Sequence, residues 1–134
     1  VSHKKFKEMI KRGELLEYDY HHQNFYGTNR LILEKLLSRH NILMEVDVNG
    51  ALEIKKKLGN VVLIYITVDL NILRSRVKRR GNETEEEIEI RMRRAKLENK
   101  KGERFDYQIK NLEGHPEVAI NRVLEIIKKE LQKK

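Results

Sequence analysis

The sequence predicts a single α/β domain with a mainly parallel sheet, and three observations carry this prediction. The 134 residues, 39% of them hydrophobic, suffice for one core and are too few for two ordinary domains. From Asn41 onward, helical patterns alternate with short apolar runs. One of these runs, VVLIYITV at Val61–Val68, lacks the polar alternation of a half-exposed strand, which favours the buried centre of a parallel sheet.

The residues before Asn41 predict a smaller antiparallel lobe. Ser2 is placed to cap a short helix that ends at Gly13. The predicted strand LLEYDY follows, and Thr28 or Asn29 then opens a second helix. Polar and aromatic strands of this kind are typical of an antiparallel sheet with one face in water.

The larger part begins with a predicted strand, NILMEVDV at 41–48, and a helix from Gly50 to Leu58. Glu45 and Asp47 lie two residues apart near the end of this strand, and so share one of its faces. Ligands of open α/β sheets bind beyond the carboxyl ends of the strands. Carboxylates there need a partner, so we expect a salt bridge for Glu45. For Asp47, a role in a binding site is as good an interpretation.

Four further elements complete the predicted order after the apolar strand. A helix starts near Asp69 and ends at a Gly-Asn break at 81–82. A longer helix then starts with the capping box Thr84-x-x-Glu87, in which the hydroxyl and the carboxylate each satisfy a backbone donor. FDYQIK is the last predicted strand, and Pro116 starts a closing helix.

The composition limits the classes of partner and location. Lys and Arg number 29 against 21 Asp and Glu, and this net charge of +8 suits nucleic acid or a phosphorylated small molecule. A solvated surface rich in Lys and Glu explains the charge equally well. The lack of cysteine excludes disulfides and cysteine-ligated zinc, and no apolar run is long enough to span a membrane. We therefore expect a cytoplasmic protein with no membrane partner.

Arginines dominate a second candidate site. Arg76 and Arg80 lie four residues apart on one predicted helix, and Arg91 lies on the next. Guanidinium groups present planar forks of donors to phosphate oxygens, so these two helices could close as a lid over a polyphosphate. The alternative is a pair of solvated helices in which the acidic run Glu83–Glu89 neutralises the basic cluster Arg74–Arg80.

Aromatic residues are concentrated in EYDYHHQNFYGT at 17–28, which holds four of the chain's eight. Three of them are predicted to pack the small lobe: Tyr18, Tyr20 and Phe25. His21 and His22 point to opposite faces if extended and cannot both ligate one metal ion. We interpret these two histidines as the tip of a hairpin.

Five segments, in order and across nearly the whole chain, resemble bacterial-type guanylate kinases. They are VSHKKFKEMIKRGELLEY, NFYGT, MEVDVNGALEIKK, RSRVKRRGNETEEEIEIRM and FDYQIKN. The resemblance implies transfer of the γ-phosphate of ATP to GMP in the presence of Mg²⁺, giving GDP and ADP. It also implies a GMP-binding lobe at 1–40, a P-loop-kinase-like parallel core at 41–80 and 96–134, and a helical lid at 81–95.

The resemblance also implies roles for four residues in binding GMP. Glu17 matches the carboxylate that accepts the guanine N1–H and 2-amino group, and Thr28 matches a hydroxyl on the carbonyl side of the base. Tyr26 matches the tyrosine that bonds the GMP phosphate. Asp47 matches an acidic residue that lines the GMP site. A bidentate contact of the Glu17 kind is worth roughly 1–3 kcal/mol of discrimination between bases.

For ATP and the transferred group, the resemblance implies four residues. Arg76, Arg80 and Arg91 match the arginines around the phosphoryl group, of which the first two also contact ATP. Asn111 matches an asparagine near the adenine. No residue of this chain is assigned to the metal ion.

The chain departs from the family at one essential motif. None of its seven glycines belongs to G-x-x-x-x-G-K-[ST], the loop that cradles nucleotide phosphates. We therefore expect an N-terminally incomplete guanylate kinase, without the first strand and P-loop, that has negligible activity alone. Two other functions stay open: a non-catalytic guanylate-kinase-like scaffold and a basic nucleic-acid-binding module. The arginines argue against the scaffold, and the lack of a recognition motif argues against nucleic acid.

Overall fold

A computed structural model of the chain describes residues 1–21 and 24–133, which form two compact units, Val1–Val61 and Val62–Lys134. Each unit contains one pair of strands, antiparallel in the first and parallel in the second. Helices accompany both pairs, so the predicted α/β class is confirmed. The finer division into lobe, core and lid stays a prediction.

The first unit is built around a β-hairpin. Its elements are α1 (His3–Lys11), β1 (Leu15–His21), β2 (Asn24–Asn29), α2 (Arg30–Leu37) and α3 (Val48–Leu58). The side chain of Ser2 caps α1, as predicted. The cap of α2 is Asn29, whose side chain accepts a hydrogen bond from Ile32 N, while Thr28 belongs to β2. The predicted hairpin tip includes His22, which lies outside the described residues.

The hairpin ladder contains a β-bulge. Leu15 pairs with Asn29 and Tyr18 pairs with Gly27, so two residues of β1 stand opposite the single residue Thr28 of β2. A bulge of this kind bends its strand and re-aims a side chain. Leu16, within the bulge, and Leu15, just before it, are both buried.

The core of the first unit lies between the bulged strand and two helices. Leu16, Leu33 and Ile54 form its buried centre, and Leu16 is fully buried. The other side of the hairpin is covered by α1, where the ring of Phe25 stacks on Phe6 with 5.1 Å between centroids. The predicted packing role of Phe25 is therefore confirmed. Tyr18, in contrast, is 54% exposed and is not a core residue.

The predicted strand at 41–48 is wrong. Residues 40–47 have no regular secondary structure, and they join neither strand pair of the described chain. Alternation is nevertheless present, because three side chains pack against the core cluster: Ile42, Met44 and Val46. The period-two pattern indicates one buried face, but a β-strand also needs a backbone ladder with a neighbouring strand. This segment belongs to neither of the two described ladders.

The second unit pairs a small parallel sheet with three helices. Its elements are β3 (Ile64–Thr67), α4 (Leu70–Arg80), α5 (Glu85–Gly102), β4 (Tyr107–Lys110) and α6 (Pro116–Leu131). The strands run in register from Ile64↔Tyr107 to Thr67↔Lys110. One core lies between β4 and α6, and a second joins α4 to α5 through Val77, Ile88 and Met92.

Two predictions for this unit have different outcomes. The capping box of Thr84 and Glu87 is confirmed, with both reciprocal hydrogen bonds formed at the start of α5. The predicted burial of Val61–Val68 on both faces is wrong, because the strand covers four residues and Ile66 is 52% exposed. β3 pairs only with β4 in the described sheet, so its apolar face lacks the cover that a central strand receives. No described helix is both long and apolar enough to cross a bilayer.

Candidate functional site

A carboxylate and a hydroxyl meet at the bulge of the hairpin. The Thr28 hydroxyl Oγ1 donates a hydrogen bond to Glu17 Oε1 at 2.6 Å, and both residues are half-buried. Short bonds to an ionised acceptor are among the stronger hydrogen bonds in proteins. The bond fixes the orientation of the carboxylate at a point where solvent or a ligand can still reach it.

The start of α3 supplies a second carboxylate. Asp47 is the N-cap, and its Oδ1 accepts hydrogen bonds from the backbone N–H of Asn49 at 2.7 Å and of Gly50 at 3.0 Å. The sequence is compatible with either a structural partner or a binding role for Asp47. The structure gives it a structural role at the helix N-terminus, where a carboxylate also opposes the positive end of the helix dipole.

Gly50 brings the two carboxylates close together. A Cβ atom at this position would lie 3.2 Å from Glu17 Oε2 and 3.5 Å from Asp47 Oδ2. Both carboxylates therefore border the same glycine, and the first turn of α3 lies directly against the Glu17 side chain. Three predicted site residues (Glu17, Thr28 and Asp47) are thus brought together by the fold of the first unit.

This arrangement is suited to a ligand with adjacent hydrogen-bond donors. An ionised carboxylate has about four lone-pair positions on two oxygens, and Thr28 uses one of those on Glu17. A planar group that presents two parallel N–H donors can bind the remaining positions.

Two other predicted residues of this unit lie at its surface. Tyr26 precedes Thr28 by two residues on β2, pairs with Asp19 across the ladder and is 56% exposed. Glu45 is exposed and forms no ion pair within residues 1–21 and 24–133, so the predicted salt bridge of Glu45 is not present there.

The arginines of the second unit are held by separate carboxylates. Arg76 Nε lies 3.6 Å from Glu113 Oε1, which belongs to the loop after β4, and Arg91 pairs with Glu83. Arg80 is exposed at the last residue of α4. The structure therefore places Arg76 and Arg80 on one helix and Arg91 on the next, as predicted, with two of the three guanidinium groups in ion pairs.

Other basic residues of α4 neutralise the acidic start of α5. Lys78 Nζ lies 2.6 Å from Glu85 Oε1, and Arg74 pairs with Glu89. Lys78 lowers the pKa of the Glu85 carboxyl, chiefly through this hydrogen bond. The interpretation of mutual neutralisation is thus correct for Arg74 and Lys78. Arg76 pairs instead with Glu113, and Arg91 of α5 pairs with Glu83.

Known proteins match this chain closely. The family model described as "Guanylate kinase" matches residues 1–130. A guanylate kinase of Mycoplasma mobile is 37% identical over 138 residues, which cover 97% of this chain and 68% of that protein. The chain belongs to the guanylate kinase family. A guanylate kinase of Thermotoga maritima is 33% identical over 99% of this chain and 64% of its own length.

A solved structure gives the same result for the fold. The crystal structure of guanylate kinase from Anaplasma phagocytophilum superposes with a TM-score of 0.73, at 28% identity, over 97% of this chain and 63% of that one. The fold of this guanylate kinase family member is therefore shown. The chain spans 55% to 68% of the length of the first curated relatives that it matches.

Asn111 follows the last residue of β4. Its N–H donates to the Thr67 carbonyl at 2.7 Å, which extends the parallel ladder by one bond beyond β3. Asn111 is half-buried at the carboxyl end of the strand pair, the edge at which ligands of α/β sheets bind.

No group of three or more His, Asp or Glu side chains capable of holding a metal ion occurs within 1–21 and 24–133. The two carboxylates near Gly50 accept hydrogen bonds from Thr28, Asn49 and Gly50.

Two residues that support the Glu17–Thr28 pair, Gly27 and Lys57, are not among the residues that the sequence predicted for the site. A Cβ on Gly27 would lie 2.8 Å from the Glu17 carbonyl oxygen, so only glycine fits beside the bulge. The Lys57 ammonium of α3 donates to the Leu16 carbonyl, within the bulge itself. The sequence signal for the bulge is the doubled leucine of LLEYDY, which breaks period-two alternation. Nothing in the sequence singles out Lys57.

Proposed function

We propose that this chain recognises GMP through its first unit and belongs to an enzyme that transfers the γ-phosphate of ATP to GMP, giving GDP and ADP. The observation that carries the proposal is the hydrogen bond between Thr28 and Glu17 beside Gly50. It supports a preset carboxylate in a half-buried position, which is what discrimination between purines requires.

The chemistry of guanine fits this carboxylate. Guanine presents N1–H and an exocyclic 2-amino group side by side, and the two oxygens of Glu17 can accept from both. Adenine has neither donor in that position and would leave the carboxylate unpaired, which is costly for a group partly removed from water. The Thr28 hydroxyl has a single hydrogen, which it donates to Glu17 in the free chain. It binds the carbonyl side of guanine in this proposal by rotating that hydrogen from the carboxylate to the carbonyl oxygen of the base.

Tyr26 and Asp47 complete the GMP site in this proposal. Tyr26 is exposed two residues from Thr28, at a position that a nucleotide phosphate can reach. Asp47 holds the first turn of α3 against Glu17 through its cap bonds and lines the site with its second oxygen.

Arg76, Arg80 and Arg91 act on the transferring phosphoryl group in this proposal, and Asn111 lies near the adenine of ATP. Exposed ion pairs such as Arg76–Glu113 contribute little net stability, so the guanidinium groups can exchange carboxylate for phosphate oxygens. Phosphoryl transfer depends on positioning and on electrostatic stabilisation of spreading charge, and the GMP phosphate is already an anionic nucleophile. The residues need to orient the two nucleotides and neutralise the charge of the phosphoryl group, and no general base is required.

The proposal assigns residues 1–40 to the GMP-binding lobe, 81–95 to the lid and the remaining two segments to the core. The partners are the nucleotides GMP and ATP, in the cytoplasm. Because the 134 residues contain no phosphate-cradling G-x-x-x-x-G-K-[ST] loop, we expect them to bind GMP without turnover in an ADP-release assay.

The test is a comparison of GMP with AMP in an NMR titration of the chain. We expect GMP to bind more tightly, and Glu17→Gln to reduce this preference by roughly 10- to 100-fold, which corresponds to roughly 1–3 kcal/mol. The matched control is Glu53→Gln, an exposed glutamate of α3, which should leave the preference unchanged. Equal affinity for both nucleotides in the unmodified chain would refute the proposal.

A further inference from the structure

One face of α3 follows the bulged strand over two helical turns. Gly50, Ile54 and Lys57 lie at spacings of four and three residues, and these spacings place them on the same side of an α-helix. Gly50 is near the first turn and Lys57 is in the last turn. This face therefore extends along about 10 Å of helix, at 1.5 Å per residue.

Each of the three residues contacts the pair Leu16 and Glu17. Gly50 leaves room for the Glu17 carboxylate, with 3.2 Å between its ideal Cβ position and Oε2. Ile54 packs against the fully buried Leu16 side chain in the core of the unit. The Lys57 ammonium donates to the Leu16 carbonyl oxygen. Side chain, backbone and carboxylate of the bulged pair are thus all held by one helix.

The bulge decides where the Glu17 carboxylate points. Successive residues of a strand face opposite sides, so a change of register by one residue moves every side chain to the other face. Leu16 and Glu17, the two residues opposite Thr28, depart from this alternation, and the Glu17 carboxylate accepts a hydrogen bond from the Thr28 hydroxyl. A contact that holds the backbone of Leu16 therefore also determines the position of Glu17.

We propose that Lys57 is a positioning residue for base recognition: by holding the Leu16 carbonyl, it keeps the bulge in place and sets the carboxylate of Glu17 for guanine. This inference rests on the proposed function. Lys57 does not touch the nucleotide. It acts through the backbone of Leu16, the residue before Glu17. Lys57 lies at the opposite end of α3 from the turn that borders the site.

The chain offers a matched pair of lysines for the test. Lys57→Met removes the ammonium group and keeps most of the apolar stem, and Lys57→Arg keeps a donor at similar reach. Lys56→Met makes the same change in charge one residue away on the same helix, at an exposed position. Thermal unfolding of each variant shows that it is folded at the temperature of the binding measurement.

The measurement is the ratio of the AMP and GMP dissociation constants in the NMR titration. Lys57→Met should reduce this ratio by roughly fivefold or more, since a hydrogen bond to a charged group is lost. Lys57→Arg should retain about half of the ratio or more, and Lys56→Met should retain all of it. General destabilisation weakens both nucleotides alike and leaves the ratio intact, so the ratio separates positioning from mere stability.

Different failures have different meanings. A preference for GMP that survives in Lys57→Met, or that falls equally in Lys56→Met, overturns the positioning role alone. A ratio near one in the unmodified chain refutes the proposed function, and the guanine part of this inference with it. The bulge itself is tested by the backbone amide chemical shifts of Gly27 and Thr28 in the absence of ligand. These shifts should change in Lys57→Met and not in Lys56→Met. Unchanged shifts in Lys57→Met would refute the contact between Lys57 and the Leu16 carbonyl.

Discussion

The two units of the chain prepare their charged groups in different ways. In the first, the Glu17 carboxylate is fixed by the Thr28 hydroxyl at 2.6 Å and by the backbone geometry of a bulge and a helix cap. In the second, Arg76 and Arg91 form ion pairs with the side chains of Glu113 and Glu83. The first arrangement is built into the main chain, and the second depends on the surface.

This difference matches what each group is proposed to do. A carboxylate that discriminates between bases must be in place before the ligand arrives, because flexibility would let it adapt to the wrong base. A guanidinium that neutralises a phosphoryl group has to move with it, and an exposed ion pair worth about 0–1 kcal/mol is easily exchanged. Rigid and exchangeable charges are thus separated between the two units.

The substitution with the largest expected effect on the rigid first unit is Gly27→Ala. The new Cβ would lie 2.8 Å from the Glu17 carbonyl oxygen and 3.0 Å from Phe6 Cζ, and such overpacking costs roughly 1–3 kcal/mol. We expect a lower midpoint of urea unfolding together with a weaker preference for GMP. Gly13→Asn is the control, since Gly13 has φ +66 and open space around it, and asparagine tolerates that conformation. An unchanged midpoint in Gly27→Ala would contradict the rigid picture of the first unit.

A smaller effect should distinguish the exchangeable charges of the second unit. Glu113→Gln removes the carboxylate that faces both Arg76 and Arg79, so these arginines become available to an added anion. Binding of inorganic tripolyphosphate should tighten by roughly two- to fivefold at low salt, and this gain should shrink at high salt. Glu117→Gln is the matched control, because Glu117 pairs with His115 and not with an arginine. Equal tightening in both variants would show a general effect of charge.

The smallest effect is a pH dependence of the start of α5. Backbone and side-chain hydrogen bonds from Thr84 hold the pKa of Glu87 below its ordinary value of 4.5. A lowered folded-state pKa stabilises the protein above the ordinary value, and this contribution is lost as the pH falls through the lowered one. The melting temperature should therefore decline below about pH 4.5. Glu87→Gln should make that decline shallower, and an identical decline in the variant would remove Glu87 as its source.

Local patterns predicted much of the fold. Caps and turns depend on a few neighbouring residues, so Ser2, Thr84 with Glu87, and the start of α6 at Pro116 could be predicted directly. Strands depend on distant partners. The segment 41–48 has the composition of a strand but belongs to neither described strand pair. Ile66 is apolar yet half-exposed, because the described sheet around β3 has only one other strand.

The predictions for the site show the same difference between local signals and long-range contacts. Spacing and resemblance predicted Glu17, Thr28 and Asp47, and the structure brings these three together. The assignment of their roles, and of those of Tyr26 and the arginines, stays a proposal. Gly50 and Lys57 could not be predicted, since their importance comes from contacts with residues about thirty to forty positions earlier in the chain.

The bulge makes the position of the Glu17 carboxylate depend on the number of residues in each strand of the hairpin. One strand contributes two residues where the other contributes one, so the carboxylate owes its place to an unequal number of residues as much as to its chemistry. Substitutions in β1 can be absorbed one side chain at a time. Deletion of Leu16 would even out the ladder and turn the Glu17 carboxylate away from the Thr28 hydroxyl, although both of these groups remained in the chain. In this hairpin, length is a functional property that single-residue deletions would expose and substitution scans would overlook.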